Sequence, residues 1–276
     1  MQVLHHIPEL RARLNAEPRV TLVPTMGNLH AGHISLVEMA RWRGGCVVAT
    51  IFVNRLQFDP GGDFDRYPRT LARDTGMLEA AGCDVVFVPD EREMYPEPQE
   101  AQVTPPRIAS DLEGAFRPGH FQGVCTVVTK LFNIVKPHAA VFGKKDYQQL
   151  AVLRAMERQL DFGIEIVGGE TMREPDGLAM SSRNGYLTKD ERVKAAQLNA
   201  ELRKVKEALE AGSRRFERHT AMARADLETA GWKVDYVEVR NRATLELPAP
   251  HDKELVVLAA ARLGKTRLID NLEITA

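Results

Sequence analysis

"VTLVPTMGNLHAGHISLVEMARWR", residues 20–43, is the stretch on which the reading of the fold turns. Its first six residues, up to Thr25, are mostly β-branched or apolar, as in a strand buried on both faces. From His33 to Arg43 it reads as a helix. Between the two lie Gly27, His30 and Gly32, and His33 opens the helix. A strand that runs through such a turn into a helix is half of a βαβ unit.

The same alternation continues outward. "CVVATIFVN" (46–54) is a second buried strand, and "LARDTGMLEAAG" a helix closed by Gly82. "DVVFVP" (84–89) follows, then a helix through 123–137 that ends before Pro137. "AAVFG" (139–143), the helix 146–160 and "IEIVGG" (164–169) complete it. This pattern predicts an α/β fold: a Rossmann-like parallel sheet with helices on both faces. After the polar loop 173–188 the pattern changes to two charged helices, 190–211 and about 214–230, and then three strands. We therefore expect a first domain over 1–171 and a smaller C-terminal α+β domain over 172–276.

Composition narrows the class. With 276 residues the chain can bury a sizeable core. Hydrophobic residues are 44% and charged residues 27%, and the formal net charge of −1 offers no basic field for nucleic acid or an anionic membrane. Any phosphate binding must then be local. Cys46, Cys83 and Cys125 form no C-x-x-C pair, which argues for buried free thiols rather than a zinc cluster. The N-terminus lacks a basic segment followed by an apolar one, and no run approaches 18 apolar residues. A cytoplasmic protein is expected.

Ligands of open parallel sheets bind beyond the carboxyl ends of the strands, where the unusual polar residues here fall. His30 and His33 follow the first strand, Asn54 and Gln57 the second, and Lys144, Lys145 and Asp146 follow "AAVFG". Met180, Ser181, Ser182 and Arg183 lie in the loop after the last strand of the first domain. A helix N-terminus offers free N–H groups to an anion, and Gly27 and Gly32 leave room for a phosphate chain. Two imidazoles three residues apart can both donate to phosphoryl oxygens as charge builds. A lone histidine here is more simply a cap, and a zinc pair would want a third ligand. The whole constellation favours phosphate chemistry over either.

H-x-G-H followed by "MSSRN" resembles the adenylate-forming nucleotidyltransferase superfamily and its K-M-S-K-S element. "PTMGNLHAGH", "FVNRLQF", "DFDRYPRTLARD", "GHFQGV", "FGKKDYQQL" and "DGLAMSSRN", in that order, are similar to the pantothenate synthetase (pantoate–β-alanine ligase) family over almost the whole chain. The resemblance implies that ATP and (R)-pantoate form pantoyl adenylate with release of pyrophosphate, and that β-alanine then gives pantothenate and AMP. It implies ATP contacts for Met26, Gly27, His30, His33, Gly143, Lys145, Asp146, Met172, Met180, Ser181, Ser182 and Arg183. His30, His33, Lys145 and Arg183 would be catalytic, and Gln57, Gln149 and Asn54 would hold pantoate. It further implies Mg²⁺ carried on ATP, a homodimer, and a C-terminal domain that covers the site.

Arg55 stands where the family usually has proline, and Lys144 where it often has glutamate. Residues 59–73, with Asp63 and Asp65, are a lid candidate, while Arg117 and His120 are candidate cavity shapers. No dedicated metal cage is evident. Two other readings compete: a nucleotidyltransferase that stops at nucleotide transfer, and a regulatory module that binds nucleotide without catalysis.

Overall fold

The alternation of strands and helices is present in the computed structural model, which describes residues 1–58 and 64–276. In chain order the elements are β1 (Gln2–Leu4), α1 (Ile7–Leu14), β2 (Val20–Thr25), α2 (Ala31–Trp42), β3 (Cys46–Ile51), α3 (Leu71–Ala80) and β4 (Val85–Phe87). They continue with α4 (Glu91–Met94), α5 (Glu113–Phe116), α6 (His120–Val135), β5 (Ala139–Gly143), α7 (Tyr147–Leu160) and β6 (Glu165–Gly169). Then come α8 (Lys189–Glu210), α9 (Phe216–Thr229), β7 (Lys233–Asn241), β8 (Glu254–Leu263) and β9 (Thr266–Thr275). The chain divides into two compact units, Met1–Lys144 with Val152–Glu170, and Lys145–Ala151 with Thr171–Ala276.

In the first unit six strands among the described residues form one sheet in the order β1-β4-β3-β2-β5-β6, every neighbouring pair parallel. Side-chain alternation splits the strands between two faces. Val23, Val47, Ala49, Val86 and Val141 pack with Leu36, Val37 and Ala40 of α2 and Leu78 of α3. Leu22, Val48, Val85 and Phe87 point the other way and are also fully buried. On that side α6 packs against β2 and α1, burying Val124, Val127, Val128, Leu131 and Phe132. Both faces are covered, which is why the strands read as continuous apolar runs.

The strand order reverses between β2 and β5, the place where such sheets bind ligands. β2 pairs with β3 along its full length, but with β5 only at Thr21–Ala139 and Leu22–Ala140. The Val20 carbonyl accepts from His138 N at 2.8 Å, so by period two Leu22 and Pro24 face the same edge. Pro24 therefore lies just past the end of that ladder, where its missing N–H breaks no bond.

The elements depart from the sequence pattern at several points, and the helix expected over 123–137 is α6, which starts at His120. β1 was not foreseen; three residues are too few to show a period, and they pair with β4 through Gln2–Val85 to Leu4–Phe87. α2 starts at Ala31 rather than His33, because His30 serves as its N-cap. β3 stops at Ile51, and Asn54 precedes a short 3-10 turn, Arg55–Gln57.

The second unit is an antiparallel sheet in the order β7-β8-β9 with α8 and α9 on one face. Leu198, Leu202, Val205, Leu209 and Leu227 of the helices meet Val237, Val239, Leu255, Val257 and Ala259 of the strands. Thr188 and Glu191 close a reciprocal capping box at the start of α8.

Candidate active site

The turn from β2 to α2 is built from backbone conformations that few residues adopt. Gly27 has φ +78°, and a Cβ there would stand 3.1 Å from both Asp74 Oδ2 and Ile51 Cγ2. Asn28 follows in the left-handed region at φ +50°. The chain then reaches His30, whose Nδ1 accepts from Gly32 N at 3.1 Å, while His33 Nδ1 accepts from His30 N at 3.3 Å. Together these bonds form a capping box made of two imidazoles. An Nδ1 that accepts a hydrogen bond carries no proton, so each neutral ring holds its proton on Nε2. The ring centroids are 4.1 Å apart. Two Nε2–H donors thus stand side by side at a helix N-terminus.

Asp74, on α3, grips this turn from outside. It is 0% exposed, and its carboxylate accepts from Asn28 N at 2.8 Å, Leu29 N at 2.9 Å and the Thr70 hydroxyl at 3.0 Å. Its neighbour Arg73 donates to the Leu29 carbonyl. Asp74 carried no functional expectation, because its role depends on a contact 45 residues away in sequence.

Asn54 and Gln57 do come together. Asn54 is 1% exposed; its amide N–H groups go to Gln57 Oε1 at 3.0 Å and the Gly123 carbonyl at 3.1 Å. Its own Oδ1 accepts from the Tyr95 hydroxyl at 2.7 Å. Burial pushes the Tyr95 phenol far above its ordinary range, so it stays a donor. With its oxygen occupied, Gln57 donates its amide nitrogen to Met26 Sδ at 3.4 Å.

The backbone of Gln57 is held as firmly. Its carbonyl accepts from Arg117 at 3.3 Å and faces His120 Nδ1 at 2.9 Å, so these two residues shape this turn. Gly123 allows α6 to approach, since a Cβ there would lie 2.2 Å from the Leu56 carbonyl. Arg55 turns away to Glu91, Nε to Oε1 at 3.0 Å, and lies 4.1 Å from the centre of the Phe64 ring. The unusual residue at this position thus joins α4 to the segment that begins at Phe64. Gly143 ends β5, and the next residue, Lys144, is paired with Glu170 at 2.5 Å, which offsets its added charge.

The second unit carries Lys145, Asp146, Gln149, Met172, Met180, Ser181, Ser182 and Arg183. Lys145 Nζ lies 3.7 Å from Asp146 Oδ2, and Gln149 is half-buried in the first turn of α7. Residues 172–180 form a tight hairpin, with Met180 N donating to the Met172 carbonyl at 2.9 Å and a bridge between Arg173 and Ala179. The Ser181 hydroxyl accepts from Arg183 N at 3.2 Å and opens a 3-10 turn, Ser182–Tyr186. Arg173 anchors the hairpin through a bidentate pair to buried Asp270 at 2.8 and 2.9 Å. Asn199 also donates to Asp270, at 3.0 Å, and Asn271 donates to the Lys145 carbonyl at 2.9 Å. None of Arg173, Asp270 and Asn271 was singled out from sequence, since their partners lie far apart along the chain.

All three cysteines are free and buried. Burial pushes Cys46 and Cys83 up to about 11 and Cys125 to about 12, so they are poor nucleophiles. Among the described residues no group of three or more His, Cys, Asp or Glu could hold a metal ion. Asp63, and the start of the 59–73 lid candidate, lie outside the described residues. No helix of the described residues is long and apolar enough to cross a membrane.

A family model described as pantoate–β-alanine ligase matches residues 2–273. A protein named pantothenate synthetase from Thiobacillus denitrificans is 58% identical over 277 residues, covering 100% of this chain and 98% of its own. The crystal structure of pantothenate synthetase from Thermus thermophilus is 44% identical with a TM-score of 0.95, covering 100% of both chains. That of the Francisella tularensis pantoate–β-alanine ligase, complexed with β-γ ATP and β-alanine, is 33% identical with a TM-score of 0.84. It covers 99% of this chain and 97% of that one.

Proposed function

The chain belongs to the pantoate–β-alanine ligase family, and from that premise we propose that it condenses (R)-pantoate with β-alanine at the expense of ATP through pantoyl adenylate. It is a ligase. The observation that carries the chemistry is the His30–His33 pair, whose Nδ1 atoms accept backbone N–H groups and leave two Nε2–H donors at the start of α2. In the first step a pantoate carboxylate oxygen attacks the α-phosphorus of ATP, and the bond to the bridging oxygen breaks to release pyrophosphate. In the second the β-alanine amine attacks the acyl carbon, AMP leaves, and the amine loses a proton.

Neither step forms a bond to the protein, so its work is positioning and charge stabilisation. His30 and His33 donate to phosphate oxygens, and Lys145 and Arg183 supply cationic charge. Met26, Gly27, Gly143, Asp146, Met172, Met180, Ser181 and Ser182 complete the ATP contacts. Gln57 presents its amide nitrogen to an oxygen of pantoate, Gln149 assists, and Asn54 acts through Gln57, because its own polar atoms are occupied. Mg²⁺ arrives on ATP as part of the substrate. The division into a catalytic domain, 1–171, and a smaller domain, 172–276, belongs to the same proposal. So do a homodimeric state and a cytoplasmic location, the latter in keeping with three reduced, buried thiols.

The test is a product assay with Mg-ATP, (R)-pantoate and β-alanine. Equimolar pantothenate and AMP that depend on all three substrates are expected. ATP–pyrophosphate exchange with pantoate but no amide would point to a different acceptor. No reaction with pantoate would overturn the reading.

A further inference from the structure

Asp74 is a buried carboxylate that the chemistry above does not use. Removing such a group from water is costly unless its lone pairs are filled, and here they are filled by Asn28 N, Leu29 N and the Thr70 hydroxyl. Two of those donors belong to the turn that delivers His30. They are the N–H groups of a left-handed residue and its successor, which the helix and the sheet leave out of their ladders. Arg73 takes the carbonyl of the same Leu29, so α3 holds this one residue at both its N–H and its C=O. The next residue is His30, whose own N–H donates to His33 Nδ1.

A continuous path therefore runs from Asp74 through Leu29 and the His30 N–H to the His33 ring. We infer that Asp74 is a positioning residue for the phosphoryl chemistry, one that sets the placement of the two histidines and the tautomer of His33 without touching substrate. The inference rests on the function proposed above. Arg73 acts with it from the exposed side of α3. The shape of Gly27 fits this role, because a side chain there would press on the Asp74 carboxylate at 3.1 Å. Displacing a catalytic group by about 1 Å is enough to cost on the order of a hundredfold in rate.

The variants are Asp74→Asn, which turns an amide N–H toward backbone donors, and Arg73→Met, whose exposed position spares the fold. Each is made in the natural background and with His33→Ala. Adenylate formation is followed by ATP–pyrophosphate exchange, and the imidazole tautomers by ¹⁵N NMR, which needs no turnover. Asp74→Asn is expected to lower the rate constant about a hundredfold and Arg73→Met about tenfold, with KM for ATP changed only a few-fold. Both losses should shrink severalfold once His33 is absent. The His33 ring should move from the Nε2–H form toward a mixture in Asp74→Asn.

Equal losses in both backgrounds, or unaltered tautomers, would overturn the inference while leaving the reaction in place. A natural chain that makes no pantothenate would overturn the proposed reaction, and the tautomer comparison would still decide whether Asp74 positions the pair.

Discussion

The turn at 26–33 and the hairpin at 172–180 both lead into candidate phosphate ligands, yet they are held by opposite arrangements of charge. In the first the brace comes from another element: Asp74 and Arg73 of α3 seize backbone groups, and the histidines cap their own helix. In the second the loop itself supplies the charged group, Arg173, and the buried acceptor Asp270 waits on β9. Loss of a histidine from the first turn leaves no unpaired charge. Loss of Asp270 leaves a guanidinium that is only 18% exposed without this carboxylate, its other bonds going to the neutral Gly177 and Asn271 carbonyls. One loop should therefore fail in chemistry and the other in stability.

The largest effect is expected on the second side. Asp270→Ala takes from Arg173 this carboxylate, leaves it only the Gly177 and Asn271 carbonyls, and should destabilise the protein by about 3–5 kcal/mol. Calorimetry should show a melting temperature lower by on the order of 10 °C. A shift of only a degree or two would mean that the pair is not what holds the hairpin.

His33→Ala is the matching change on the first side. Turnover should fall at least about a hundredfold, equivalent to roughly 2.7 kcal/mol of transition-state stabilisation, while the melting temperature stays within a few degrees. A thermal loss as large as that of Asp270→Ala would erase the contrast, and unchanged turnover would remove the histidine from its assigned role.

Tyr95→Phe sharpens the picture at lower cost. It leaves Asn54 Oδ1 buried without its donor, a penalty of about 1–2 kcal/mol. If Asn54 and Tyr95 together fix the Gln57 amide, that cost should appear as a roughly 5–30-fold rise in KM for pantoate, with KM for ATP unmoved. A rise in both would show a general loosening.

The smallest effect is a control remote from both loops. The His6–Glu93 hydrogen bond raises the His6 pKa above its ordinary 6.5 and lowers that of Glu93 below its ordinary 4.5. The His6 contribution is present below 6.5 and fades as pH rises through its raised value; the Glu93 contribution is present above 4.5 and fades as pH falls. The difference in melting temperature between the natural chain and His6→Ala should therefore be widest near pH 5–6 and narrow toward pH 8.5. A difference that grows with pH would refute the pairing.

Sequence patterns carried the parallel sheet, the second α+β unit and the cluster of polar residues at strand ends, because each rests on local periodicity or on the geometry of open sheets. The two histidines were legible for the same reason. Their tautomers were not, since these depend on which backbone N–H reaches each ring. Asp74, Tyr95 and Asp270 stayed silent: an aspartate on a helix and a tyrosine beyond one carry no pattern, and their partners lie 41 to 97 residues away. Strand order was likewise beyond reach, because the packing of distant segments sets it. Asn54 read as a substrate contact, and its burial in a web of amide bonds is visible only in three dimensions.

The small edge strand β1 has a consequence for how the chain is made. Gln2 pairs with Val85, His5 reaches the Val88 carbonyl, and His6 and Ile7 both find Glu93. At about 5–20 residues per second, a ribosome exposes these N-terminal residues roughly 4–17 s before their partners exist. During that interval β2 and β3, which are close in sequence, already have each other. The N-terminal segment is thus made before β2 and β3 yet docks after they have paired, and it closes its edge of the sheet only once β4 and α4 have emerged, while β5 and β6 are still to come.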